Sequence, residues 1–77
     1  MKCTVHGFQQ IDFLNRDGQS IKGVNLYVSF PEENIMGQAV AKFFIKENIP
    51  MPDNIKVGNE IELTFSRKGK VEKVTKA

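Results

Sequence analysis

The sequence predicts an all-β fold, a small five-stranded antiparallel OB-like barrel with a projecting first hairpin. Hydrophobic residues alternate with other residues at a period of two along most of the chain. Turn signals that contain glycine or proline divide the chain into five extended segments. A flat sheet of this size would leave open edges, whereas closure into a barrel removes them. An SH3-like barrel is the main alternative, and the long first two strands favour the OB type.

The first two strands are the longest and should form the projecting hairpin. We expect the first strand to run from about Lys2 to Asn15, with a bulge or bend at Gly7. Asp17-Gly18 marks the turn, because glycine accepts the positive φ that hairpin turns need. The second strand should run from about Ser20 to Phe30, where Pro31 ends it.

The second and third strands each present one apolar face and one mixed face. In the second strand, the residues expected in the core are Val24, Leu26, Val28 and Phe30. They alternate with the polar face, which is Gly23, Asn25, Tyr27 and Ser29. In the third strand, residues 38–46, the core face is Ala39, Ala41, Phe43 and Ile45. The other face combines cations with apolar groups and consists of Val40, Lys42, Phe44 and Lys46.

The connection to the fourth strand contains Pro50 and Pro52, which prevent a regular helix or an interior strand. At most we expect one short 3₁₀ turn near residues 53–55. The apolar residues of this connection, Ile49 and Met51, should either plug the end of the barrel or form an exposed patch.

The last two strands should form a second hairpin. The fourth follows Val57-Gly58-Asn59-Glu60 and directs Ile61, Leu63 and Phe65 inward. Residues 67–70 make a basic turn, and the fifth strand begins with residues 71–74 and frays toward Ala77.

Length and composition indicate one globular domain, residues 1–77, with 40% hydrophobic and 26% charged residues. No apolar run approaches the ~18 residues of a membrane helix, so we expect a soluble cytoplasmic protein without membrane contact. The single cysteine, Cys3, excludes an internal disulfide and should be a buried or half-buried thiol. Residues 67–77 hold five cations against one anion, +4, whereas residues 1–66 carry −2. This uneven charge favours a localised contact with an anion.

Catalytic and metal-binding constellations are absent from the sequence. His6 is the only histidine and, with Cys3, supplies at most half of a zinc site. Glu60 and Glu62 share a strand face, but a hydrophilic surface explains them better than an acid–base pair. We therefore expect no enzymatic activity, no metal and no cofactor.

Binding of single-stranded nucleic acid is favoured by cations and exposed rings on neighbouring strands, because ammonium groups contact phosphates and rings stack on unpaired bases. The candidate binding residues are Arg16, Lys22, Tyr27, Lys42, Phe44, Lys46, Arg67, Lys68 and Lys70. Asn25 and Ser29 should flank Tyr27 as hydrogen-bond donors. Ordinary alternatives exist: a solvated turn residue at 16, a ring at 27 that only shields backbone, and lysine stems that cover a half-exposed ring.

Two segments resemble a known family. Residues 11–23, Ile-Asp-Phe-Leu-Asn-Arg-Asp-Gly-Gln-Ser-Ile-Lys-Gly, followed by Leu26-Tyr27-Val28, resemble the DNA-binding hairpin of filamentous-phage helix-destabilising proteins, the gene V type. Residues 57–58 and 63–71 are similar to the hairpin through which that family dimerises. The similarity covers nearly the whole chain and is one of pattern, carried by short motifs.

The resemblance implies an OB-like barrel, a homodimer, and cooperative, largely sequence-independent coating of single-stranded DNA in a bacterial host cell. It matches Arg16 to the family's hairpin arginine and Tyr27 to its aromatic in the second hairpin strand. The chain departs from the family in having one tyrosine and a strongly basic turn at residues 67–70. Like charges at a dyad repel each other, so these cations either disfavour that dimer or face the DNA. RNA binding and a small protein-interaction barrel are the alternative functions.

Overall fold

Five strands form a single antiparallel sheet in the computed structural model, which describes residues 1–52 and 54–77. In chain order they are β1 (Lys2–Leu14), β2 (Ser20–Phe30), β3 (Ala39–Lys46), β4 (Glu60–Phe65) and β5 (Val71–Lys76). The strand order across the sheet is β3-β2-β1-β4-β5. The predicted all-β class with five antiparallel strands is therefore confirmed. The 3₁₀ turn expected near Asp53 involves a residue outside those described.

The sheet curls but is not closed. No ladder joins the two edge strands β3 and β5 within the described residues, so a closed barrel stays a prediction. Curling is shown by Phe43 of β3 and Phe65 of β4, whose ring centroids lie 5.4 Å apart in an edge-to-face arrangement. These strands are separated by β2 and β1 in the sheet, so their rings meet only because the sheet bends around a core. None of the described segments is a helix long and apolar enough to cross a membrane.

The core lies on the concave side of this sheet, which we call the inner face. Its buried apolar residues come from all five strands and are Cys3, Val5, Leu26, Val28, Ile45, Ile61, Leu63, Val71 and Val74. Ile49 and Met51 are partly buried against this cluster, which favours the plug over the exposed patch. Cys3 is buried as expected, and this burial raises the pKa of its thiol above the usual value.

A β-bulge divides β1 into two functional halves. Val5 pairs with Val28 and Gly7 pairs with Tyr27, so His6 is one extra residue in β1. The bulge anticipated at Gly7 is therefore present. On the far side of β1, Val5 is the last residue to bond the neighbouring chain segment, through Asn59 and Gly58. Beyond the bulge, β1 pairs with β2 alone.

The second half of β1 and the start of β2 form the projecting hairpin. We call residues 11–23 the first hairpin. The ladder between β2 and β3 ends at Gly23 and Lys46, so the part beyond Gly23 has only two strands. The molecule is accordingly long, 43 Å against 27 and 22 Å in the other directions.

Candidate nucleic-acid interface

Tyr27 and Phe44 lie on the same side of the sheet, opposite the core, which we call the outer face. Directly paired residues of an antiparallel ladder share a face, and here Tyr27 pairs with Lys42 and Asn25 with Phe44. The two rings are therefore diagonal neighbours, which places their Cα atoms about 7–8 Å apart. Tyr27 is 40% exposed and Phe44 is 39% exposed. Each ring is thus anchored on one side and accessible on the other.

The anchor of Phe44 is a glycine in the neighbouring strand. Its ring atoms Cζ and Cε1 lie 2.7 and 2.9 Å from the position that a Cβ of Gly23 would occupy. The same Cβ would collide with the carbonyl oxygen of Ile45. Any side chain at residue 23 would displace the ring, so the glycine creates the seat on which Phe44 rests.

Tyr27 is seated in a similar but looser way. Its Cδ2 atom lies 3.8 Å from the position of a Cβ on Gly7, an ordinary van der Waals separation. Its hydroxyl donates a 3.2 Å hydrogen bond to Oε1 of Gln9. The ring does shield the backbone of β1, as one alternative for this residue supposes. It also borders an open groove of about 370 Å³ together with His6, Val40 and Lys42.

A second groove joins β3 to the basic turn before β5. Its volume is about 590 Å³, and it is lined on one side by Lys42, Phe44 and Lys46 of β3. On the other side it is lined by Gly69, Lys70 and Glu72. Cations that are far apart in the sequence therefore meet around one half-exposed ring. Such a groove is suited to a flexible polyanion with flat apolar groups.

The basic turn is held by its own hydrogen bonds. The amide of Gly69 donates to the carbonyl of Ser66, and the amide of Lys70 donates to the Ser66 hydroxyl. Gly69 has a φ of +80°, a conformation that favours glycine. Arg67 and Lys68 are exposed at the tip of this turn but do not line the groove.

Arg16 occupies the tip of the first hairpin, where Asn15 organises the turn. The Oδ1 atom of Asn15 accepts hydrogen bonds from the amides of Asp17 and Gln19. Gly18 has a φ of +76°, as the Asp-Gly signal predicts. The arginine is exposed in the turn beyond the last pair of the β1–β2 ladder, Leu14 with Ser20.

Two polar residues of β2 are placed differently from Tyr27. Lys22 pairs with Asp12, which places it on the inner-face side of the first hairpin, although it also borders a groove of about 300 Å³ with Ile21 and Phe44. Ser29 was expected to offer a hydrogen bond beside Tyr27, and that expectation is wrong. Its side chain is buried, and its hydroxyl lies 2.6 Å from Nε2 of the bulged His6. The Ser29 hydroxyl, which the alternation pattern assigned to the surface, is therefore engaged by the bulged His6.

Phe13 is an outer-face residue that the sequence reasoning missed. It pairs with Ile21 and is 53% exposed. Without the bulge, residue 13 would have the same phase as the buried residues Cys3 and Val5. The extra residue at position 6 reverses that phase, so Phe13 lies on the side of Gly23 and Phe44. Gly7 predicts a bulge, but the reversal at Phe13 follows only from the register of β1 with β2.

The carboxylates of β4 contact cations, whereas Glu72 of β5 lines the groove beside Phe44 and Lys70. In β4, Glu60 is 3.0 Å from the ammonium of Lys2, and Glu62 is 3.3 Å from the amino terminus. These contacts fit the hydrophilic surface expected for the two carboxylates. Throughout β1, β2 and β3, all of whose residues are described, no outer-face position beyond the bulge carries Asp or Glu. The outer face is therefore a cationic and aromatic surface.

No family model, no curated protein and no solved structure matches this chain. The described part of the chain, residues 1–52 and 54–77, holds no cluster of three or more potential metal ligands. The geometry of the outer face and its grooves is therefore the basis on which a function can be assigned.

The contrast between the two glycine seats gives a stability prediction. Gly23→Ala should destabilise the fold by about 1–3 kcal/mol, because the added methyl forces Phe44 and the backbone of Ile45 to move. Gly7→Ala is the matched control and should change stability by less than about 0.5 kcal/mol, since its methyl meets only ordinary contacts. Thermal or urea unfolding followed by circular dichroism measures both. Equal effects of the two substitutions would contradict the seat assigned to Phe44.

Proposed function

We propose that this chain is a non-catalytic, single-stranded DNA-binding protein whose contacts are largely independent of sequence. The observation that carries the proposal is that two half-exposed rings, Tyr27 and Phe44, are diagonal neighbours on one cationic face. Lys42, Lys46 and Lys70 border the groove beside Phe44. In this proposal the rings stack on bases and the ammonium groups contact phosphates.

The two accessible rings favour single strands over duplex. Stacking needs a base whose π-face is free, and in a duplex neighbouring base pairs cover both faces. Each stacked base contributes about 1–3 kcal/mol and tolerates any sequence, because every base has such a face. The outer-face positions of β2 and β3 carry no acidic residue, and in the groove beside Phe44 three lysines stand against one carboxylate, that of Glu72.

The resemblance to the filamentous-phage family of the gene V type extends the proposal. On that basis we propose a role in DNA replication of a phage or mobile element, a homodimeric state, and action in the cytoplasm of a bacterial host cell. In this proposal the first hairpin, with Arg16 at its tip, and Tyr27 further along β2 have the role of the family's binding hairpin.

The alternatives are RNA binding and protein binding. A stacking surface accepts either sugar unless a group contacts the 2′-hydroxyl, so RNA is tested by direct competition with DNA of the same length and sequence. In a protein-interaction barrel, Ile49 and Met51 would form the apolar patch that contacts the partner. Both residues are partly buried against the core, which reduces the apolar surface open to a partner.

Removal of either ring should weaken binding to a labelled oligothymidylate in an anisotropy titration at low salt. Tyr27→Ala and Phe44→Leu should each cost about 1–3 kcal/mol of binding free energy. Leucine is chosen at position 44 because it keeps an apolar cover over Gly23 while removing the π-face. Tyr27→Phe is the control and should bind as the original chain does, since it loses only the hydroxyl contact to Gln9. Preference for duplex of equal length, or no binding at all, would refute the proposal.

Salt dependence tests the phosphate contacts separately. Lys42→Ala and Lys46→Ala should each reduce the slope of log affinity against log salt by about 0.7, the value for one phosphate contact on a single strand. Lys76→Ala, an exposed lysine of β5 away from the groove, is the matched control and should leave the slope unchanged. Affinity insensitive to salt in the original chain would exclude this mode of binding.

A further inference from the structure

We propose that Phe13 is a third stacking residue, and that the bound strand continues from Tyr27 and Phe44 along the first hairpin toward Arg16. This inference rests on the proposed function and adds a path to it. Nothing in the sequence pattern alone places Phe13 at the site. Its assignment follows from the strand register beyond the bulge.

The register aligns Phe13 with the other two rings. Gly23, the seat of Phe44, is two residues from Ile21, and Ile21 pairs with Phe13. Two residues along a strand correspond to about 7 Å. Ile21 and Phe44 also border a common groove of about 300 Å³. The outer face therefore continues into the first hairpin without a break.

Phe13 is 53% exposed and Phe8 on the opposite face is 50% exposed, so the exposure of Phe13 supports the proposal only together with its cationic neighbours. At this level the hairpin has only two strands, so neither β3 nor β4 covers the side chain. An exposed ring next to a cationic surface is a common feature of sites for unpaired bases. A nucleic-acid strand that follows this path would cover the ring.

Charge along the same path favours a polyanion. Lys46 pairs with Gly23, which lies in β2 between the partner of Phe44, Asn25, and the partner of Phe13, Ile21. Arg16 is at the tip of the hairpin. The nearest carboxylate within the two strands is that of Asp12, which the register places on the opposite side of the hairpin with Lys22. The strand positions on the side of Phe13 carry no carboxylate, although Glu47 borders the groove of Ile21 and Phe44 and Asp17 adjoins Arg16 in the turn.

Tryptophan substitution tests the path directly, because the chain contains no tryptophan. Phe13→Trp and Phe8→Trp place one fluorophore in the same strand at nearly equal exposure, 53% and 50%. They lie on opposite faces, since Phe8 pairs with Leu26 of the core. Long oligothymidylate should quench the fluorescence of the F13W variant by base stacking and leave that of the F8W variant nearly unchanged. Equal quenching of both variants would overturn the assignment.

Affinity gives the second measurement. Phe13→Ala should weaken binding of a long oligothymidylate about 5- to 150-fold, the range expected for one lost base stack. Phe8→Ala should have no such effect, and both variants should keep the circular-dichroism spectrum of the original chain. The affinity for a short oligothymidylate that covers only Tyr27 and Phe44 should not change in the Phe13→Ala variant.

The outcomes separate this inference from the proposed function. If binding depends on Tyr27 and Phe44 but not on Phe13, the path along the hairpin is wrong and the proposed function is retained. If the original chain binds no oligothymidylate, both fail. If the fluorescence of the F13W variant changes with protein concentration in the absence of DNA, the ring contacts a second copy of the chain and the inference is overturned.

Discussion

The β-bulge at His6 is the constraint on which the rest of the structure depends. Before it, β1 lies between β2 and β4 and contributes Cys3 and Val5 to the core. After it, β1 leaves β4 and pairs with β2 alone. One inserted residue thus converts an interior strand into an arm of a projecting hairpin. It also exchanges the faces of every later residue in β1, because side chains alternate with a period of two.

Fold and proposed binding share the same side chains on the outer face. Phe44 covers Gly23 and Tyr27 covers Gly7, so each ring completes a surface that the glycine leaves unfilled. A ring seated on backbone loses part of its freedom before any ligand arrives, which lowers the entropic cost of stacking. The same arrangement means that loss of a ring affects both stability and affinity. Conservative changes, leucine for Phe44 and phenylalanine for Tyr27, are needed to separate the two effects.

Local signals in the sequence were sufficient for the strands and their turns. The boundaries of β2 follow from alternation and from Pro31, and the positive φ of Gly18 follows from the Asp-Gly pair. Gly7 pointed to the bulge. The consequences of the bulge could not be read locally, because they depend on the partner strand. The burial of Ser29 beneath His6 and the outward direction of Phe13 both require the register between β1 and β2.

The candidate site was predictable only in part for the same reason. Alternation placed Lys42, Phe44 and Lys46 on one strand face, and the pairing of β2 with β3 set Tyr27 beside them. The approach of Lys70 to that face is a tertiary effect, since it depends on how far the sheet curls. Arg67 and Lys68 lie in the same turn outside the groove, a difference that composition does not reveal.

The central claim is that the outer face of β1, β2 and β3 holds a single DNA strand. A titration of the ¹⁵N-labelled protein with oligothymidylate, followed by two-dimensional NMR, tests it residue by residue. We predict the largest amide shift changes at Tyr27, Lys42 and Phe44, with only small changes at Glu62 and Lys76. Changes concentrated in β4 and β5, or an unchanged spectrum at saturating oligonucleotide, would contradict it.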